Sequence, residues 1–491
     1  MALFDSETTK SPSVDESGTI QMSSVKESIA DANFLNEKSF DGAIENDTTL
    51  DEAPLDNSYG WLMTVCAFLI NVHTWGINSA WGVFLAHYLM VDTFHGATSL
   101  QYALIGGLSI SQSLIVAPFV NFAVQKLGSR STMLIGTVLL SGAMLASSFA
   151  TQTWHLFLTQ GCMSGYGTSF IYVTASIILP EWFSKHRSLA LGIASSGAGF
   201  GGLAYNLGAG AGIEALGWRW MYRIIFVCTL VFNGICSLLM KERRKQTQQD
   251  QDESAFDLHE YLRFETWLII VWGATSELGY IVLLFSLPNY SISIGLSPQQ
   301  GSVVAAVLNL GLAFGRPAVG YVSDAFGRIN MAALMTGLCG FFCLAIWVPA
   351  KTYPVMLIFA LLSGTVAGTF WSTVVPVTAE VMGLRRLPSA FAMLCLPLVV
   401  PVTFAEPIAL QMVASRGYTS AQVFVGCMFL AGAAAAWILR SWKIRDSEQK
   451  QIDKTSSRTN SVESNQENYN TEVVMLRPHS WLSTLYMIQK V

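Results

Sequence analysis

Charge in this chain of 491 residues is confined to three short stretches, and that confinement decides most of what it can fold into. Residues 1–59 hold 16 charged side chains, 241–265 hold 12 and 441–491 hold 13, leaving 20 for the other 356 residues. Long apolar runs without charge leave no polar surface to face water, so a soluble globular fold is excluded. The runs are also too long for barrel strands and suit helices of about 20 residues each. The net charge of −5 comes mainly from the first 59 residues, with 13 acids against 3 bases, so nothing favours nucleic-acid binding.

The expected fold is an all-α polytopic membrane protein with twelve transmembrane helices. Their approximate positions are 60–89, 102–124, 131–150, 154–179, 188–212, 220–240, 265–287, 302–322, 331–350, 354–379, 388–413 and 419–440. The fifth is the least helix-like, because Gly197, Gly199, Gly201, Gly202, Gly208, Gly210 and Gly212 lower its propensity, and such glycines suit close helix packing. Loops after even-numbered spans carry twelve Lys and Arg, while the opposite side has Arg219, Arg223, Lys351 and Arg416. Both termini are therefore expected in the cytoplasm. The expected organisation is a disordered acidic tail (1–59), a six-helix bundle (60–240), a cytoplasmic linker (241–264), a second bundle (265–440) and a cytoplasmic tail (441–491). No cleavable signal is visible in the first 59 residues. The sequons at Asn46 and Asn289 are poor glycosylation sites, one facing the cytoplasm and the other lying close to the membrane. All eight cysteines fall inside spans and read as apolar packing residues, with no metal spacing. The segment 473–486 regains apolar character but is too short to span.

Pro118, Gly128, Glu181 and Arg187 recur as Pro317, Gly327, Glu380 and Arg386, each at an offset of 199 residues. Four matches at one offset, all at cytoplasmic helix ends, argue for a duplicated six-helix unit. Such parallel repeats resemble the plan of the major facilitator superfamily, whose members bind substrate near the midplane between the halves. The second copy is fuller: Gly315-Arg316-Pro317, then Gly320, Asp324, Gly327 and Arg328 resemble the superfamily's loop signature. This resemblance implies gating by Asp324, Glu380, Arg386, Glu181 and Arg187. The first copy has Gln125 where Asp324 stands, so a charge latch there is expected to be weaker.

Asp56-Asn57-Ser58-Tyr59-Gly60-Trp61 is similar to the opening motif of the monocarboxylate porter family, with Asn57 and Tyr59 as departures. Trp182 to Ala194 resembles that family's second motif, and Gly315 to Asn330 favours its fungal branch. Animal lactate carriers of the family have a lysine about where Ser79 falls and an aspartate where Leu312 stands. Lactate transport is therefore not implied, although an organic acid or other polar metabolite is.

A cation inside a span usually lines a cavity or has a partner. Arg316 lies eight residues, about 12 Å of helix, before Asp324 and shares a face with Asn309, so it is the first candidate for a substrate contact. A structural pair with an acid or with helix carbonyls is the alternative. Glu277, with Tyr280 one turn on, and Glu406 are candidate proton-coupling groups, since a buried carboxyl can exchange a proton when its cavity opens to water. Against this stands a protonated Glu277 bonded to a neighbouring helix. Asn71, Thr74, Trp75 and Asn78 fall on one face of a continuous helix, with His73 pointing away. Asn71 and Asn78 are candidate substrate contacts, with bonding across helices as the alternative, and Trp371, Tyr166 and Tyr172 are candidate aromatic walls. His73 reads as a packed, hydrogen-bonded histidine.

No phosphate-binding GxxxxGK[ST] loop is present, and no histidine pairs with metal or acid–base spacing. The expected function is secondary active transport of a small organic acid or polar metabolite by alternating access, with no cofactor, a possible coupling proton and a slight preference for efflux across the plasma membrane. Proton-coupled uptake of a monocarboxylate or vitamin is one alternative. A nutrient sensor on a carrier fold is another.

Overall fold

The computed structural model describes residues 55–243 and 258–463. Most of the acidic tail, the middle of the linker and segment 473–486 lie outside the described residues, as does the Asn46 sequon. Within them the chain makes twelve helical passes: 58–91, 99–127, Ser129–Ser147, Thr153–Trp182, Arg187–Leu216, Trp218–Leu239, Phe264–Ser293, Pro298–Phe326, Arg328–Trp347, Tyr353–Met382, Leu387–Arg416 and Tyr418–Glu463. Ten are long and apolar enough to cross a membrane. The second, bent by 45° between Leu100–Ile115 and Ala117–Leu127, makes eleven. The fifth falls short in hydropathy because of its glycines, yet at 30 residues it is long enough to span.

The duplication is visible in the backbone. Gly128 and Gly327 end the second and eighth passes with φ of 79° and 102°, a left-handed turn that glycine adopts at low cost, so the next pass starts at the following residue. Gly217 and Gly417 do the same before the sixth and twelfth passes, with φ of 83° and 77°. That second pair stands at an offset of 200, which a search at 199 passes over.

Three features depart from the sequence expectation. The first pass is broken into Ser58–Val72, Trp75–Ser79 and Trp81–Val91, so Asn71 and Asn78 do not share a continuous helical face. The tenth breaks at Gly368, between Tyr353–Ala367 and Thr369–Met382. The twelfth is a single helix of 46 residues, about 69 Å long and more than twice the hydrocarbon thickness. The boundary expected at 440 marks where apolar character stops, not where the helix does.

Small residues set the packing. A methyl group at Gly136 would come within 2.6 Å of the Phe170 Cβ, and one at Gly167 would collide with the Leu140 backbone, so the third and fourth passes touch main chain to main chain. Gly208, by contrast, faces open space. Gly167→Val is expected to cost about 1–3 kcal/mol through overpacking, while Gly208→Ala should cost nothing. Thermal unfolding in detergent checks both, and equal melting temperatures would contradict the close approach.

Candidate functional site

Arg316 sits on the eighth pass, 6% exposed, and its Nη1 donates across the seam to the Ser195 carbonyl of the fifth pass at 2.6 Å. Its guanidinium lies against Gly368, where an added Cβ would stand 2.6 Å from Nε. The absence of a side chain at Gly368 therefore makes room for the cation. Arg316 Nε is buried without a hydrogen-bond partner, an arrangement that leaves a donor unfilled. Glu277 of the seventh pass is 3% exposed, has the Trp371 indole within hydrogen-bonding reach, and feels the Arg316 charge, as Tyr280 and Tyr172 do. Trp371 packs 6.1 Å from Trp75 and 6.4 Å from Tyr172, and those two rings meet edge-on at 5.4 Å. Trp75 and Tyr172 come from the first half and Trp371 from the second. Three aromatic rings thus meet where the halves face each other, and the Arg316 charge reaches both Tyr172 and Glu277.

The remaining candidates are placed less centrally. Asn71 is buried and turns back to the Ala67 carbonyl at 2.9 Å, packed beside Gly197 of the fifth pass. Asn78, beyond the break, donates to Ser109 at 3.0 Å and lines a pocket of mixed polarity inside the first bundle with Thr74, Gln160, Ser164, Trp81 and Phe84. The expected stripe is corrected on this point: the break sends the two asparagines to different neighbours. Asn309 bonds its own helix at Ala305 and faces Gly202 across the seam. Glu406 is half-buried on the eleventh pass, and among the described residues no side chain is hydrogen-bonded or ion-paired to it. His73 bonds Tyr205 at 2.6 Å and stacks on Phe232 at 4.5 Å, a packed histidine. Gly368 and the Ser195 carbonyl carried no signal in the sequence, because each matters only through a neighbour on another pass.

At the end of the molecule from which residues 55 and 463 both emerge, Asp324 accepts the backbone N–H groups of Ser188 and Leu189 at 3.0 and 2.9 Å. A carboxylate of the second half thus caps the fifth pass of the first, worth roughly 1–2 kcal/mol when partly buried. Arg328 adds bonds across the same seam to Ser188 Oγ at 3.1 Å and the Ser184 carbonyl at 3.3 Å, and pairs with Glu380 at 3.5 Å. Close approach permits this: a methyl at Gly192 would meet the Arg316 carbonyl at 2.5 Å, and one at Gly320 would press on that of Ser188. The seam is shut at this end. Toward the other end Gly208 and Gly210 of the fifth pass meet nothing. Of the other residues expected at helix ends, Arg187 donates to the Phe183 and Pro180 carbonyls, Glu181 accepts the Arg243 backbone N–H, and Arg386 is exposed. These bonds of Arg187 stay on its own side of the seam, although its charge also feels Asp324 and Glu380 of the second half.

Asp56 clamps the same turn from the other side, accepting the N–H groups of Ser184, Lys185 and His186 and lying 3.5 Å from the His186 ring. Burial alone would raise its carboxyl, but the bonds from Lys185, His186 and Ser184 outweigh that and hold it below the usual carboxylate range. With the folded value depressed, the clamp is in place above the unfolded value of about 3.9 and is lost as pH falls through the folded one. Amide protection at 184–186 should therefore persist from neutral pH down to about pH 4 and fall below it. Asp56→Asn should lose that protection at pH 7, and equal protection in the two proteins would show that the clamp does not hold the turn.

The Major Facilitator Superfamily profile matches this chain twice, over residues 63–290 and 269–488, one match for each half. The chain belongs to that superfamily and is a membrane transporter. It is 32% identical over 427 residues to the probable transporter MCH2 of Saccharomyces cerevisiae, covering 85% of this chain and 89% of that one. The fujikurins efflux protein of Gibberella fujikuroi is 26% identical over 396 residues, covering 78% and 83%. Among solved structures, the proton:xylose symporter XylE bound to 6-bromo-6-deoxy-D-glucose shares the fold, with a TM-score of 0.62 at 15% identity over 77% of this chain and 95% of that one.

Proposed function

We propose that this transporter is a secondary active carrier that moves a small organic acid, or another metabolite with a strongly polar anionic group, outward across the plasma membrane by alternating access. The observation that carries the reading is the unfilled Arg316 Nε, buried where the two halves meet, with its charge felt by Glu277. A carboxylate placed there would take that N–H, and the aromatic rings would exclude water around it. Trp371, Tyr280 and Asn309 complete this reading of the site, whereas Asn71 and Asn78, bonded to other neighbours, stand outside it. Glu277, rather than the isolated Glu406, is the group that exchanges a proton when the cavity opens. Efflux is favoured because both charged determinants of the lactate carriers are replaced and because a relative is named for efflux. The positive-inside pattern places the closed, tail-bearing end in the cytoplasm, with residues 60–240 and 265–440 as the two bodies that rock about the site.

The test is transport into vesicles of purified protein, against a panel of labelled organic acids. If the planar fork of Arg316 grips a carboxylate, Arg316→Gln and Arg316→Lys should both weaken substrate affinity, by about tenfold or more for Gln. Unchanged affinity in both would remove Arg316 from the site.

The latch reading follows from the same geometry. Asp324, Arg328 and Glu380 hold the cytoplasmic end shut, and releasing them is one step of each cycle. Asp324→Asn is expected to lower turnover several-fold with little loss of folded protein, measured as initial rate per transporter at equal expression. A wild-type rate would mean that the cap is not part of the cycle.

A further inference from the structure

The twelfth pass continues past its apolar run, and there Arg440 and Lys443 lie three residues apart on one face. This part of the helix is packed down, since Ser441 is fully buried and Ile444 is 1% exposed. Arg440 Nε donates to Asn330 Oδ1, two residues beyond Arg328, and Asn330 in turn bonds the Phe326 carbonyl at the end of the eighth pass. Lys443 Nζ donates to the Glu380 carbonyl at 2.8 Å, in the last turn of the tenth pass. Between these two anchor points runs the Arg328–Glu380 ion pair, and Arg328 is the residue that reaches across the seam to Ser184 and Ser188.

The last carbonyls of a helix have no partner within it, and a cation there satisfies one and opposes fraying of the final turn. Lys443 does this at the residue whose side chain steadies Arg328. We infer that the extension of the twelfth pass is a brace for the latch, with Arg440 and Lys443 as positioning residues that set the balance between the tail-closed and tail-open states. This inference rests on the latch reading above. The brace touches neither substrate nor the seam itself; it fixes the two helix ends that carry the latch side chains.

Amide hydrogen exchange of the full chain in lipid nanodiscs tests it without knowledge of the substrate, because Asp324 is bonded to the N–H groups of Ser188 and Leu189. Lys443→Met is expected to lower protection of those two amides by about tenfold, with the apolar parts of the other passes unchanged, and Lys443→Arg should restore it. Arg440→Gln should act in the same direction and serves if Lys443→Met fails to fold. Wild-type protection at 188–189 in both Lys443→Met and Arg440→Gln, while Asp324→Asn loses it, would overturn the brace and leave the latch standing. Unchanged protection in Asp324→Asn would overturn the latch and the brace together. A loss spread evenly over all passes would make Lys443 an ordinary stability contact and would also overturn the brace.

Discussion

The close approach of the fifth and eighth passes is the constraint on which the rest depends. Glycine at 192, 199 and 320 removes the side chains that would hold the two backbones apart, and within hydrocarbon such contact is a main source of helix association. Because the backbones touch, Arg316 can reach the Ser195 carbonyl and Asp324 can reach the first amides of the fifth pass. Bulkier residues would separate both pairs at once. The composition that made the fifth pass the poorest span by hydropathy is the one that makes it the seam.

Most of the architecture was legible in the chain, since charge and hydropathy act locally and a span announces itself in its own residues. The twelve passes, the offset repeat and the placing of Arg316 inside a span were all readable this way. What could not be read depends on a partner elsewhere. Gly368 matters because a guanidinium from the eighth pass lies on it, and the break after Val72 leaves the His73 carbonyl to be met by Asn233 of the sixth pass at 3.4 Å. Helical periodicity assumes an unbroken helix, and so it put Asn71 and Asn78 on one face. The length of the twelfth pass was missed for a different reason: hydropathy reports where lipid ends, and a polar helix can continue beyond it.

The two copies of the repeated unit have diverged in use. Glu181 and Arg187 bond backbone groups within the first half, whereas Glu380 pairs with an arginine that crosses to the other half. Gln125 stands where the second copy has Asp324. The side-chain hydrogen bonds described across the seam at the tail-bearing end thus come from the second copy, while Arg187 of the first copy adds its charge near Asp324 and Glu380.

Asp324 binds amide hydrogens of a helix start, not a side chain. Its counterpart is a property of backbone geometry that every residue except proline supplies. Over evolutionary time side chains of the first turn of the fifth pass can change while the Asp324 contact persists, so the two sides of this contact need not change in concert. Covariation between positions would not reveal it, and the acid alone would bear the constraint.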